Sequence, residues 1–219
     1  MAAPTIDFWF EFASTYSYPA AMRIGALAAS AGVDVRFRPF LLGPIFQAQG
    51  WNASPFNLYP AKGRHMWRDL ERICAELSLP FRRPDPFPQS GLLAARVALV
   101  GLDDSSDQSL GQEPSGQESS GQSWGEKFSL AVYRAEFADG RRIDQPETIR
   151  AILSDLNIDP EKTLAAAHRS EIKEKLRAQT AQAQQLGIFG APTFMTPDGE
   201  LFWGNDRLES AIAWATRAA

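Results

Sequence analysis

Residues 6–12 alternate, with Ile6, Phe8, Phe10 and Phe12 on one face, and their aromatic and β-branched content predicts a strand well inside a sheet. An alanine-rich run over residues 20–31 predicts a helix closed by Gly32. Val33, Val35 and Phe37 then alternate with Asp34, Arg36 and Arg38, which reads as a second strand. Strand, helix and strand in such quick succession form a βαβ unit, with parallel strands and a right-handed crossover. From residue 60 to 79 the period becomes helical, Met66, Leu70, Ile73 and Leu77 recurring opposite Arg68, Glu71 and Arg72. Residues 91–102 and 126–137 predict two further helices. Asp144-Gln145-Pro146-Glu147 offers an Asx cap, an early proline and a capping-box glutamate. Asp159-Pro160 opens another helical stretch, which breaks near Ser170 and stops at Gly187. The pattern then returns to strand: residues 193–196 and 200–203 flank the turn Pro197-Asp198-Gly199. Asn205 or Asp206 is placed to cap a last helix carrying Leu208, Ile212 and Ala215.

The order β-α-β, helices, β-β-α is that of an α/β protein similar to thioredoxin, with an all-helical domain inserted between its βαβ and ββα halves. On this reading residues 1–45 and 188–219 form the thioredoxin-like domain and residues 46–187 the helical insertion. Within the insertion, residues 103–123 consist of Ser, Gln, Gly and acidic side chains with Leu110 as the one large apolar group. Such a stretch buries too little surface to offset its ordering entropy, and it is assigned to a disordered low-complexity loop.

Composition narrows the picture. The 219 residues are 44% hydrophobic and 22% charged, enough to build a full core, and the net charge of −4 argues against general nucleic-acid binding. The single cysteine, Cys74, allows no internal disulfide, no CxxC pair and no cysteine-built zinc site, and with only His65 and His168 beside it no metal site is expected. No secretory segment is visible, and no run approaches the ~18 apolar residues that would cross a bilayer. The expectation is a cytoplasmic protein without nucleic-acid or membrane partners.

Chemistry is expected where the first strand hands over to its helix, at Phe12-Ala13-Ser14-Thr15-Tyr16-Ser17-Tyr18-Pro19. A helix N-terminus presents unpaired N–H groups and partial positive charge, which favour an anion such as a thiolate. Ser14, Thr15 or Ser17 can donate a hydrogen bond to a sulfur supplied by another molecule, and Ser14 or Thr15 can equally serve as a plain N-cap. A helix starting at Thr15 would carry Pro19 where its missing N–H costs a bond; one starting at Ser17 would not. Gly187-Ile188-Phe189-Gly190-Ala191-Pro192-Thr193 leads from helix to strand through a proline. A cis bond before Pro192 would turn the Ala191 N–H and C=O toward a ligand lying along the first helix, and a trans proline would not. Gly204, Asn205 and Asp206 suit either capping or the charged groups of a γ-glutamyl end. Lys62, His65 and Asp69 share one helix face, where Lys62 can meet a carboxylate. Asn52 is a loop amide.

Taken together, Asp7-Phe8-Trp9-Phe10-Glu11-Phe12-Ala13-Ser14-Thr15-Tyr16-Ser17-Tyr18, the stretch from Lys62 to Asp69-Leu70, Gly187-Ile188-Phe189-Gly190-Ala191-Pro192-Thr193 and Trp203-Gly204-Asn205-Asp206-Arg207-Leu208 resemble the 2-hydroxychromene-2-carboxylate isomerases. These belong with the kappa-class glutathione transferases, a branch of the DsbA-like thioredoxin superfamily. The resemblance spans the chain outside residues 103–123. It implies glutathione as cofactor, with Ser14 orienting its sulfur, Ala191 and cis-Pro192 pairing with its cysteinyl backbone, and Asn205 and Asp206 holding the γ-glutamyl end. Lys62 and Asn52 would bind the tripeptide or the carboxylate of a small aromatic or unsaturated substrate. A homodimer is the usual state of that family. Its serine is usually followed by proline, and here by Thr15. The activity implied is isomerisation through reversible thiolate addition. A kappa-type glutathione transferase and a non-catalytic glutathione-binding protein share the same motifs. A thiol–disulfide oxidoreductase would need a cysteine at the first helix, a position Cys74 does not hold.

Overall fold

A computed structural model describes residues 3–103 and 122–217 of the chain. The low-complexity stretch, apart from its two ends, lies outside the described residues. The first strand, β1 (Thr5–Phe10), is buried at every position from Ile6 onward. Ile6, Phe8 and Phe10 enter one hydrophobic cluster while Trp9 enters another on the opposite face, so the strand is covered on both sides. It stops at Phe10, short of the expected residue 12, because the chain turns: the Ser14 N–H donates to the Glu11 carbonyl at 2.9 Å. Phe12 nonetheless stays in the core, edge-on to Phe10 at 5.3 Å.

Helix α1 (Ser17–Ser30) begins at Ser17. Pro19 therefore occupies the first turn, where an N–H has no intrahelical acceptor to lose. Gly32 closes the turn after it at φ +66°, the left-handed region that favours glycine. Strand β2 (Asp34–Pro39) runs parallel to β1, with Phe8 level with Phe37. It ends the sheet on that side, where Pro39 is tolerated.

Two short helices follow, α2 (Leu42–Ala48) and α3 (Pro55–Leu58), which the apolar pattern does not announce. Then come α4 (Pro60–Glu76), α5 (Leu92–Asp103), α6 (Trp124–Phe137), α7 (Pro146–Asp155), α8 (Pro160–Ala167) and α9 (Ser170–Gln185). Asp159 caps α8 by accepting from the Lys162 N–H. Asp144 does not cap α7, because Arg142 takes its carboxylate in a two-point pair at 2.9 and 2.5 Å. Strands β3 (Thr193–Met195) and β4 (Leu201–Trp203) form the expected hairpin. A 3-10 turn, Asn205–Arg207, leads into α10 (Leu208–Ala215) with no side-chain cap from Asn205 or Asp206.

The four strands lie in the order β2-β1-β3-β4, with β3 antiparallel to β1 and Phe8 level with Phe194. On one face Phe8, Phe10 and Phe12 share a continuous cluster with Ile24 of α1, Val97 of α5, and Phe128, Tyr133 and Phe137 of α6. Each such buried aromatic contributes about 1.5–3 kcal/mol of transfer free energy. On the other face Trp9 and Phe40 pack with Ile45 and Ala183, and the Gln179 amide of α9 donates to the Pro39 carbonyl at 2.5 Å. The sheet and its helices thus fix two loops side by side: the turn leaving β1 and the loop entering β3.

Candidate active site

The turn between β1 and α1 is held by its own backbone. Beyond the bond from Ser14 to Glu11, the Ser17 N–H donates to the Ser14 carbonyl at 3.1 Å and the Tyr18 N–H to that of Thr15 at 3.3 Å. This sets Ser14 at the mouth of α1, at the positive end of the helix dipole, while the first N–H groups of the helix are already taken up by the turn. Across from it the Ala191–Pro192 bond is cis, the geometry considered from the sequence. The Ser14 hydroxyl donates to the Ala191 carbonyl at 2.9 Å. The loop around Ala191 is fixed on both sides: the Gly204 N–H donates to the Pro192 carbonyl, and the Thr193 hydroxyl to that of Gly190, each at 2.9 Å.

A cleft of about 1320 Å³ opens over this junction, and Ser14, Thr15, Asn52, Lys62, Ala191, Asn205 and Asp206 all line it. Two of the residues singled out in the sequence do not. Pro192 is buried behind the wall, and Ser17, fully buried, turns into the core beside Tyr133. Asn205 is also nearly buried, and its side-chain oxygen accepts from Arg23 of α1 at 3.0 Å. Arg23 binds the Asn205 carbonyl as well and pairs with Glu209, so it locks the end of β4 onto α1. Asp206 and Lys62 are exposed, with the Lys62 ammonium 5.1 Å from the Tyr59 ring.

Further residues line the cleft. The Tyr16 hydroxyl donates to Asp69 at 3.0 Å and ties the turn to α4. Burial, with the adjacent Asp69 carboxylate, raises the Tyr16 phenol and keeps it protonated. Leu42, Phe46, Trp51, Phe56 and Phe87 form an apolar wall supplied by α2, α3 and the segment before α5, with Phe46 and Trp51 rings 5.9 Å apart. Glu11 also lines the cleft, three residues before Ser14, and burial pushes its carboxyl up to about 8. The one sequence signal for Glu11 is an acidic side chain directly after the aromatics of β1. For the apolar wall there was none, since its side chains are scattered among short elements.

Cys74 is buried in the core and does not line the cleft; burial raises its thiol to about 11. A thiol so placed is inert toward disulfide exchange. Among the described residues no three His, Cys, Asp or Glu side chains gather to hold a metal ion, and no helix is long and apolar enough to cross a membrane.

The chain belongs to the family of DsbA-like thioredoxin domains, whose model matches residues 5–109 and 118–211. Within that class it is 30% identical over 207 residues to a 2-hydroxychromene-2-carboxylate isomerase of Sphingobium xenophagum, with 94% of each chain covered. It is 22% identical over 212 residues to the glutathione S-transferase kappa 2 of Caenorhabditis elegans, covering 93% of this chain and 88% of that one. A solved 2-hydroxychromene-2-carboxylate isomerase superposes over 98% of this chain and 97% of its own, with a TM-score of 0.78 at 23% identity, which shows the shared fold. These relatives are enzymes, and the chain is an enzyme of the same family.

Proposed function

We propose that the chain is a glutathione-dependent isomerase of 2-hydroxychromene-2-carboxylate-like compounds. The observation that carries this reading is the Ser14 hydroxyl, set at the mouth of α1 and facing Ala191 across 2.9 Å in a cleft without a thiol of its own. The residues present fit the tripeptide. Ala191 offers a carbonyl to an extended peptide backbone, as a strand edge would. Asn205 and Asp206 suit the γ-glutamyl end and exposed Lys62 a carboxylate, with Asn52 beside the substrate wall. When bound, glutathione supplies a thiolate that adds reversibly to a conjugated carbon and is returned unchanged. Ser14 then turns its O–H from the Ala191 carbonyl to the sulfur and, with the positive end of the α1 dipole, keeps it ionised. The apolar wall from Phe46 to Phe87 excludes water and orients the ring system against that sulfur.

The kappa-type transferase reading uses the same residues, and the kappa relative favours it. One assay separates the readings. The protein is incubated with glutathione and the chromene carboxylate, following chromene absorbance and free thiol together. Loss of chromene with thiol conserved is the expected result; thiol consumed in step with the electrophile indicates a transferase. Binding of glutathione with turnover of neither a chromene nor a haloarene would leave a non-catalytic binding protein.

A further inference from the structure

Behind Ser14 lies a group of buried polar side chains that thiolate binding does not use. Glu11 reaches the cleft at one end of it. The Tyr133 hydroxyl donates to the Glu11 carbonyl at 3.0 Å, and Glu136, fully buried one helical turn further along α6, has no hydrogen-bond partner for either carboxyl oxygen. Gln89 also lines the cleft; its oxygen accepts from the Ile143 N–H at 2.7 Å, and its buried amide nitrogen has no partner. The loop before α5 closes over Glu11 because residue 91 is glycine. A Cβ there would stand 2.9 Å from the Phe12 Cβ and 3.2 Å from Glu11 Oε1. The groups facing Glu11 are thus the Ala13 N–H on its own turn, Tyr133 and Glu136 on α6, and Gly91 before α5. Asp144, ahead of α7, adds a further negative charge on Glu136. No cation stands among them.

We infer that Glu11 is the proton carrier of the cleft, a catalytic acid and base acting on the substrate oxygen where charge develops. This rests on the thiolate reading above. Opening of the hemiketal ring breaks its carbon–oxygen bond, moves the hydroxyl proton to the phenol oxygen and leaves a ketone conjugated to the double bond; sulfur attack on the conjugated carbon then shifts the electron pair of that double bond to the ketone oxygen. The Glu11 carboxyl gives its proton to that oxygen and is left as carboxylate. The former double bond, now single, rotates; as the carbon–sulfur bond then breaks, its electron pair leaves with the sulfur, the enol electron pair re-forms the double bond in its new geometry, and the proton returns to Glu11, so that none is gained or lost overall. A carboxyl pushed up to about 8 by burial holds its proton at neutral pH and can still release it, as an efficient general acid must.

A purely structural role is met by glutamine, whose side-chain oxygen can still accept from Ala13. Proton transfer is not. Glu11→Gln is expected to lower kcat for chromene isomerisation about 100-fold or more, with KM little changed. Glu11→Asp, which keeps the acid, restores most of that loss. Attack on a halonitrobenzene releases halide and needs no proton, so the ratio of isomerisation to haloarene conjugation falls by a similar factor in Glu11→Gln. The second readout needs neither glutathione nor turnover. In a background carrying both Glu126→Gln and Glu136→Gln, which removes the other two carboxyls that burial raises, the infrared band of a protonated buried carboxyl is expected at neutral pH, lost on raising the pH and absent once Glu11 is also glutamine. A band that does not depend on Glu11, or a Glu11→Gln enzyme with the wild-type ratio, overturns the inference alone. A wild-type protein that turns over no chromene overturns the functional reading and this inference with it.

Discussion

The two walls of the cleft are built in opposite ways. The wall around Ser14 and Ala191 is made of short-range backbone geometry: a turn closed by bonds from residue 14 to 11 and 17 to 14, a cis proline, and Gly204 bonded to Pro192. The facing wall is made of side chains alone, with Phe46, Trp51, Phe56 and Phe87 brought together from separate elements. The first wall can hold a group whose shape never changes, because the donors and acceptors that fix it are main-chain atoms and the hydroxyls of Ser14 and Thr193. The second can change its shape with each substitution. One fixed group at the first wall and an exchangeable apolar partner at the second is the division of labour that this contrast supports.

The comparison is broken most directly by Ser14→Ala. Removal of a single preorganised donor to a developing or resident anion costs about 100-fold in kcat. The thiol of bound glutathione should rise toward its solution value, so the variant's rate at neutral pH falls and recovers as the pH is raised. Thiolate absorbance of the complex against pH is the measurement. Thr15→Ala, which alters a side chain 3% exposed in the same turn, should leave that titration in place. If Thr15→Ala moves it and Ser14→Ala does not, the hydroxyl at the sulfur is that of Thr15.

A smaller effect is expected on the other wall. Trp51→Ala or Phe46→Ala removes apolar contact worth about 1.5 kcal/mol, which is roughly a tenfold rise in KM for the aromatic substrate. The KM for glutathione should stay where it was. A loss shared equally between the two substrates would mean that the cleft does not divide as described.

The same contrast explains what the sequence made legible. The βαβ and ββα halves announce themselves through alternation at Ile6-Phe8-Phe10-Phe12 and through the turn at Pro197-Asp198-Gly199, signals confined to a few neighbouring residues. The Ser14 and Ala191 loops are likewise local, and the fold brings them to 2.9 Å of each other. The start of α1 is set by the turn, which places Ser17 first and so accommodates Pro19. The apolar wall was illegible for a physical reason: α2 and α3 are too short to impose a period, and their aromatic residues face a cleft and not a core. Arg23 was hidden too, since its partner Asn205 lies at the far end of the chain and only the closed sheet joins them. A capping motif marks a candidate and not a cap: Asp159 caps α8, and Asp144 does not cap α7. Asp144 satisfies the pattern of a cap, yet an arginine two residues earlier offers it a charged, two-point partner.

The smallest effect concerns the two acids of α6 and the turn, one open to the cleft and one sealed. Glu136 is pushed well above the ordinary carboxylate range, first by burial and then by the charges of Glu11 and Asp144. The native state therefore binds its proton more tightly than the unfolded chain does. Below the unfolded value, about 4.3, both states hold the proton and Glu136 adds no pH dependence. As pH rises above that value the unfolded chain releases the proton first, and the folded protein loses stability progressively until the native carboxyl itself ionises. Glu136→Gln removes this slope. Its melting temperature should match the wild type near pH 4 and exceed it by a growing margin at neutral and alkaline pH, each kcal/mol appearing as roughly 2–4 °C for a chain of this size. Parallel melting curves across that range would mean that Glu136 is ionised and paired in the native protein. Glu11 would then sit beside a fixed charge and not beside a neutral acid, and its own proton would be held more tightly than the cleft geometry requires for transfer.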